Sequence, residues 1–343
     1  MNLRDVHVGM YGAVMGLAGL GLSARLAATV LPGYVRAPAY VTEPWVALGA
    51  LALFILLILY GAKLARFPSA VRDDFMNPLT LGFCGALPVG ATLVAGGLAP
   101  YWFSLANLLW WAGAVLLLCF QVWTFYRWLS GGIALEQVNA GWLIVTVGGI
   151  VVPGPGIALG HTEASHFIFG VSAMAALPLM ALLLYRAIAA APLPEGLRPS
   201  WFILLVAPSL IYANGIALYP GFVPLESLYF AALVLAAALL IYARGLFRWP
   251  FGPPWWAFTF PLDALAYAAS RFALDHPEPL WQALAAVTLL LAAAFVTLAL
   301  VRSLAALFRQ RRLDTLEQAL QPERDVVDHA VDEESRRAAH AAR

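Results

Sequence analysis

The sequence predicts an all-α integral membrane protein of ten transmembrane helices arranged as five helical hairpins, and three observations carry that prediction. Hydrophobic residues make up 62% of the 343 positions and charged residues 11%, against about 25% charged in soluble domains. Ten runs are apolar for long enough to cross about 30 Å of hydrocarbon at 1.5 Å per residue. Lys and Arg gather in alternate loops, as cytoplasmic loops require.

Taken in order, span one (7–31) is threaded with Gly9, Gly12, Gly16, Gly19 and Gly21 and stops at Leu31-Pro32-Gly33. It is too long for a signal-peptide core and is kept as a mature helix. Span two (41–65) closes on Lys63 and Arg66. Span three (78–98) carries Pro88 and ends in the turn Gly96 to Pro100. Span four (102–126) runs to Arg127, and span five (141–161) holds Pro153 with Gly154, Pro155 and Gly156, an unwound helix end. Span six (165–186) follows Glu163, carries Pro178 and closes on Arg186 before Ala191-Pro192-Leu193-Pro194. Span seven (200–219) holds Pro208; span eight (224–246) opens on Glu226 and continues as a smooth apolar rod. Span nine (254–274) opens on Trp255 and Trp256 and contains Pro261 and Asp263. Span ten (279–308), a second smooth rod, runs into Arg309, Arg311 and Arg312.

Loops and ends after even spans hold eight Lys or Arg before the last span, and those after odd spans hold two, Arg36 and Arg271. Both termini are therefore expected in the cytoplasm of a multi-pass protein of the cell membrane, the inner membrane in a bacterium. Residues 1–312 form the membrane domain, with 16 Lys and Arg against 11 Asp and Glu; residues 313–343 form an acidic cytoplasmic tail, with 4 against 8. Mid-span Pro88, Pro153, Pro208 and Pro261 fall in spans three, five, seven and nine. A proline in a membrane helix is tolerated mainly where protein or a water-lined cavity satisfies the freed carbonyl. The alternation places five kinked helices around a central axis and five smooth ones outside, so Gly12, Gly16, Pro88, Pro153, Pro208 and Pro261 are candidate pore-lining residues.

No phosphate loop, metalloprotease motif or Ser/His/Asp grouping is present, so no enzyme is expected. Cys84 and Cys119 stand apart in apolar runs, and His161 and His166 are misaligned for a shared ligand; no metal, cofactor or nucleic-acid partner is expected. Ionisable residues inside spans default to functional roles. Glu163 and Glu226 sit at helix starts, where a carboxylate complements the helix dipole. Arg25 and Arg302 are near enough to span ends to snorkel. Asp263 is deeper, and with Glu163 it is a candidate pore-charge or proton site. Trp255 and Trp256 are expected as headgroup anchors.

Span nine, Pro254-Trp255-Trp256-Ala257-Phe258-Thr259-Phe260-Pro261-Leu262, resembles the signature of the tellurite-resistance/dicarboxylate transporter family, which includes TehA and plant slow-type anion channels. Asn139 to Pro153, Phe202 to Pro208 and Val8 to Ala18 are similar to its fifth, seventh and first helices. The resemblance implies a homotrimer in the lipid bilayer, each protomer passing small anions through an apolar pore of five inner helices. It implies that Phe260 is the gate, with Gly12 giving its ring room. Two departures stand out: Val145 replaces a frequent proline, which leaves the middle of span five straighter, and Asp263 replaces a small neutral residue. Phe260 and Asp263, three apart, share a helix face, so Asp263 is expected neutral, paired with a cation, or turned into a helix contact. A passive anion channel is the expected function, and a proton-coupled secondary transporter of dicarboxylate, sulfite or tellurite-type anions the alternative.

Overall fold

The computed structural model describes residues 3–33 and 36–341, with side chains to Arg309 and at Arg312. The described residues are helical or in turns and loops, with no strand among them. In chain order the apolar segments are α1 (Val8–Val30), α2 (Ala39–Arg66), α3 (Pro78–Leu98), α4 (Phe103–Leu129), α5 (142–158), α6 (Thr162–Ala189), α7 (Glu195–Leu218), α8 (Val223–Arg248), α9 (253–275) and α10 (Pro279–Arg309). Eight of these, all but α5 and α9, are each long and apolar enough to cross a membrane. Compact packing defines two units, Met1–Thr297 and Leu298–Arg343, and the second is helical to Ala341. The side-chain character expected for the acidic tail lies outside the described residues.

The odd and even segments are built differently. Most of α1, α3 and α7 is buried, 61%, 89% and 83% of the apolar stretch, against 22–33% for α2, α4, α6 and α8. Each odd segment also changes helix type along its length. In α1 a 3-10 turn at Val8–Tyr11 passes into α-helix at Gly12, and in α3 the turn Gly82–Gly85 passes into α-helix at Ala86. The same change occurs at Val206 in α7 and Thr259 in α9. Pro88, Pro208 and Pro261 are each the third residue of the α-helical part, and Pro153 is the first residue of Pro153–Ala158. An N–H in the first turn has no partner within its own helix, so proline costs least there. These prolines restart helices after a 3-10 stretch.

Segment α5 is fully broken: Trp142–Thr146, a 3-10 turn at Gly148–Ile150, then Pro153–Ala158. The straighter middle expected from Val145 is not observed. The break lies at the glycine pair, where a Cβ on Gly149 would collide with Ser172 Oγ. Backbone groups freed inside a membrane need partners, and neighbours supply them. Gln121 Nε2 donates to the Thr146 carbonyl at 3.0 Å, Asn214 Nδ2 to Ile150 at 2.7 Å and Trp110 Nε1 to Val152 at 3.1 Å.

Contacts among the buried segments close a cycle: α1 packs on α3, α3 on α5, α5 on α7, α7 on α9, and α9 on α1. Segments α2, α4, α6 and α8 cover this cycle from outside, each against its preceding odd neighbour. Segment α10 lies on α9 through Trp281 against Phe272 and Phe295 against Phe258, with ring centroids 4.7 and 5.2 Å apart. Large apolar side chains such as Phe54, Leu108, Leu177 and Val234 stand exposed on the covering helices, as lipid-facing surfaces do.

Candidate functional site

Three cavities lie in a row within the five-segment cycle. The first, with a water-accessible volume of about 290 Å³, is bordered by His7, Asn77, Thr80, Leu197 and Pro253. It shares Gly12, Ile144 and Ala257 with the second, which admits only about 30 Å³. The second shares Val151 and Phe260 with the third, of about 330 Å³, bordered by Arg25, Asn214, Asp263 and Tyr267. Every odd segment contributes to the walls of all three, with residues just before α1 and α3 joining at the first, and no even segment contributes to any. The narrow middle cavity is walled by Met15, Val89, Val147, Ile203, Val206 and Phe260 among others, without a charged side chain. It sits where all five segments change helix type, so the 3-10 turns and prolines shape the constriction.

Phe260, 5% exposed, stands between the constriction and the third cavity. Its ring is seated against Gly19: a Cβ there would lie 2.9 Å from Phe260 Cδ2 and 3.0 Å from Asp263 Oδ2. Room for the ring thus comes from Gly19, two helical turns beyond Gly12. Gly12 borders the first two cavities and faces Trp256 Cβ.

Of the other candidates, Pro261 borders the constriction. Gly16 is turned against Thr259. Pro88, Pro153 and Pro208 are buried and are not among the residues bordering the three cavities, although their chain neighbours Val89, Gly154 and Ala207 are. Glu163 is exposed in the first turn of α6, and Glu226 lies 3.8 Å from His276. Trp255 is fully buried with Nε1 donating to the Pro250 carbonyl at 2.8 Å, and Trp256 is 7% exposed in the constriction wall. The headgroup role expected for this pair is thereby corrected: it is interior packing.

Asp263 is fully buried and borders the third cavity, with its carboxyl beside α1 at Gly19. Arg25 borders the same cavity, held by Glu43 through a two-pronged ion pair and lying 5.8 Å from the Tyr101 ring centroid. At the opposite end, His7 Nδ1 accepts from the Gly9 N–H at 2.9 Å and so caps the 3-10 turn of α1. Burial holds the His7 imidazole below its ordinary range, with Asp74 opposing and Lys63 adding to the shift. No group of three or more His, Cys, Asp or Glu suited to a metal occurs among the described residues.

Sequence reasoning missed Asn214, Tyr267 and Gly19. Asn214, a lone amide within an apolar run, was the available signal for the polar lining of the third cavity; nothing in sequence distinguished Gly19 from the other glycines of α1.

These features define a multi-pass helical membrane protein with a row of cavities enclosed by its buried helices. The chain belongs to the voltage-dependent anion channel family, which it matches over residues 5–304. It is similar to the S-type anion channel SLAH3 of Arabidopsis thaliana, with 26% identity over 315 residues, covering 89% of this chain and 49% of that protein. It is similar also to the guard cell S-type anion channel SLAC1 of the same plant, 23% identical across 74% of this chain and 48% of that protein. An uncharacterized transporter of Methanocaldococcus jannaschii is 26% identical across 76% of this chain and 81% of its own length. The chain thus spans about half the length of the plant relatives. The family is one of anion channels and transporters, not of enzymes.

Proposed function

We propose that this chain is a passive channel for small anions, whose path runs through the three cavities and is closed by the Phe260 ring. The observation that carries the reading is the position of Phe260, in the shared wall of an apolar constriction with room for little more than a water and of a much larger cavity bordered by Arg25, Asn214, Asp263 and Tyr267. An anion must shed water to cross such a constriction, so an uncharged ring of modest size is barrier enough. In this reading the ten segments all span the bilayer as five hairpins, with both termini cytoplasmic and the His7 cavity on the cytoplasmic side. The resemblance supports a homotrimer in which each protomer has its own pore.

Phe260→Ala should raise anion current across planar bilayers at least tenfold with the assembly intact. Phe258→Ala should not: Phe258 is fully buried against Phe202, Trp255 and Phe295 and borders none of the three cavities. Mutant currents equal to those of the native protein would sink the gate. One observation favours proton-coupled transport instead, the buried acid Asp263 beside the path, and the same recordings decide between the two. A channel reverses at the potential set by the anion gradient alone, whereas coupling moves that potential with a pH gradient.

A further inference from the structure

Two residues that border the third cavity, Asp263 and Asn214, carry buried oxygens without a hydrogen-bond partner among the described residues. On α9, Phe260, Asp263, Ala264 and Tyr267 form one face along it, at the i, i+3, i+4 and i+7 spacing of a helical stripe. Neither carboxyl oxygen of the fully buried Asp263 has a hydrogen-bond partner among the described residues. Asn214, 3% exposed, borders the cavity from α7. Its Nδ2 is committed to the Ile150 carbonyl, which fixes the orientation of the amide, and its Oδ1 has no partner. Gly154 of α5 keeps this corner open: a Cβ there would lie 3.4 Å from Asn214 Oδ1 and 3.7 Å from Tyr267 Oη.

We infer that this corner is a binding subsite for a hydrogen-oxyanion, a small monoanion that retains an O–H. The inference rests on the reading that anions pass Phe260, and it names the class of anion. A carboxyl keeps an acceptor oxygen in either protonation state, and an amide oxygen only accepts. A halide or nitrate brings no donor to these atoms and leaves them desolvated and unpaired as it passes, whereas a hydrogen-oxyanion donates its O–H to one of them. A charged oxygen of the anion is met by the Tyr267 hydroxyl in the same cavity wall.

Bicarbonate and nitrate test this directly, because both are planar, triatomic-oxygen monoanions and differ by the O–H. In the Phe260→Ala background the bicarbonate-to-nitrate permeability ratio should fall about fivefold on adding Asp263→Ala, the loss expected for one hydrogen bond of ordinary strength. The ratio removes the general effect of a nearby charge, which acts on both monoanions alike. If Phe260→Ala passes both anions and Asp263→Ala leaves the ratio unchanged, the subsite is overturned and the anion path stands. If Phe260→Ala passes neither, the path reading fails, and the subsite then rests on binding to the otherwise unaltered protein. There, bicarbonate should raise the unfolding temperature more than nitrate does, and Asp263→Ala should abolish the difference; equal effects of the two anions overturn it.

Discussion

At the scale of residues, the seat of the Phe260 ring is a glycine hollow on α1. Gly19→Ala would place a methyl group 2.9 Å from the ring and 3.0 Å from the Asp263 carboxyl, and overpacking of this kind costs about 1–3 kcal/mol. Thermal unfolding in detergent should show that loss, and Phe260→Ala in the same chain should recover part of it, because the two changes share one space. A strictly additive pair would mean that the ring is not seated there. His7 gives a second residue-level expectation. Burial lowers its proton affinity in the folded state, so above pH 6.5, the ordinary histidine value, it is neutral folded or unfolded and no penalty arises. As pH falls below that value the unfolded chain binds the proton more readily, and the folded N-terminal turn loses stability. The imidazolium also cannot accept from Gly9 N–H. Hydrogen exchange at the Gly9 amide should therefore accelerate, relative to the intrinsic rate, between pH 6.5 and 5, and His7→Asn, which can cap without titrating, should remove the pH dependence.

At the scale of elements, the broken α5 depends on donors lent by α4 and α7. Gln121→Leu strips the Thr146 carbonyl of its donor and Ser172 Oγ of its partner, both in buried surroundings, at a cost of about 1–3 kcal/mol. A lowered unfolding midpoint should report it, while Leu in place of the exposed Val122 one position on should be neutral. Much of the element pattern was legible in the sequence. Apolar run length and proline spacing located the segments, and alternating Pro/Gly content foretold which are buried, because helices packed on all sides need small or helix-restarting residues. The 3-10 stretches were not legible, since a proline reads as a kink until the helix type before it is known. Nor was the fate of Trp255 and Trp256: an indole pair at the start of a span suits a headgroup zone and an interior seam alike, and only the neighbouring chains decide.

At the scale of the whole molecule, the five helix-type changes meet at one level and leave an apolar neck between two wider cavities, with Phe260 in the wall shared by the neck and the third cavity. In the proposed reading the barrier to an anion at this neck is dehydration, set by its width and its apolar walls. Phe260 was legible through the span-nine motif, whereas the polar corner beyond it was not, because Asn214, Tyr267 and Gly154 come together only when three segments from distant parts of the chain close the cycle. The most direct test of the account is a size series at position 260. Single-channel conductance recorded in symmetrical chloride for Phe260→Ala, Phe260→Val and Phe260→Leu should decrease in that order towards the value for Phe, with reversal potentials under a chloride gradient following the anion in each. Conductance independent of side-chain volume at 260, in protein of unaltered folding and assembly, would contradict the ring as the gate.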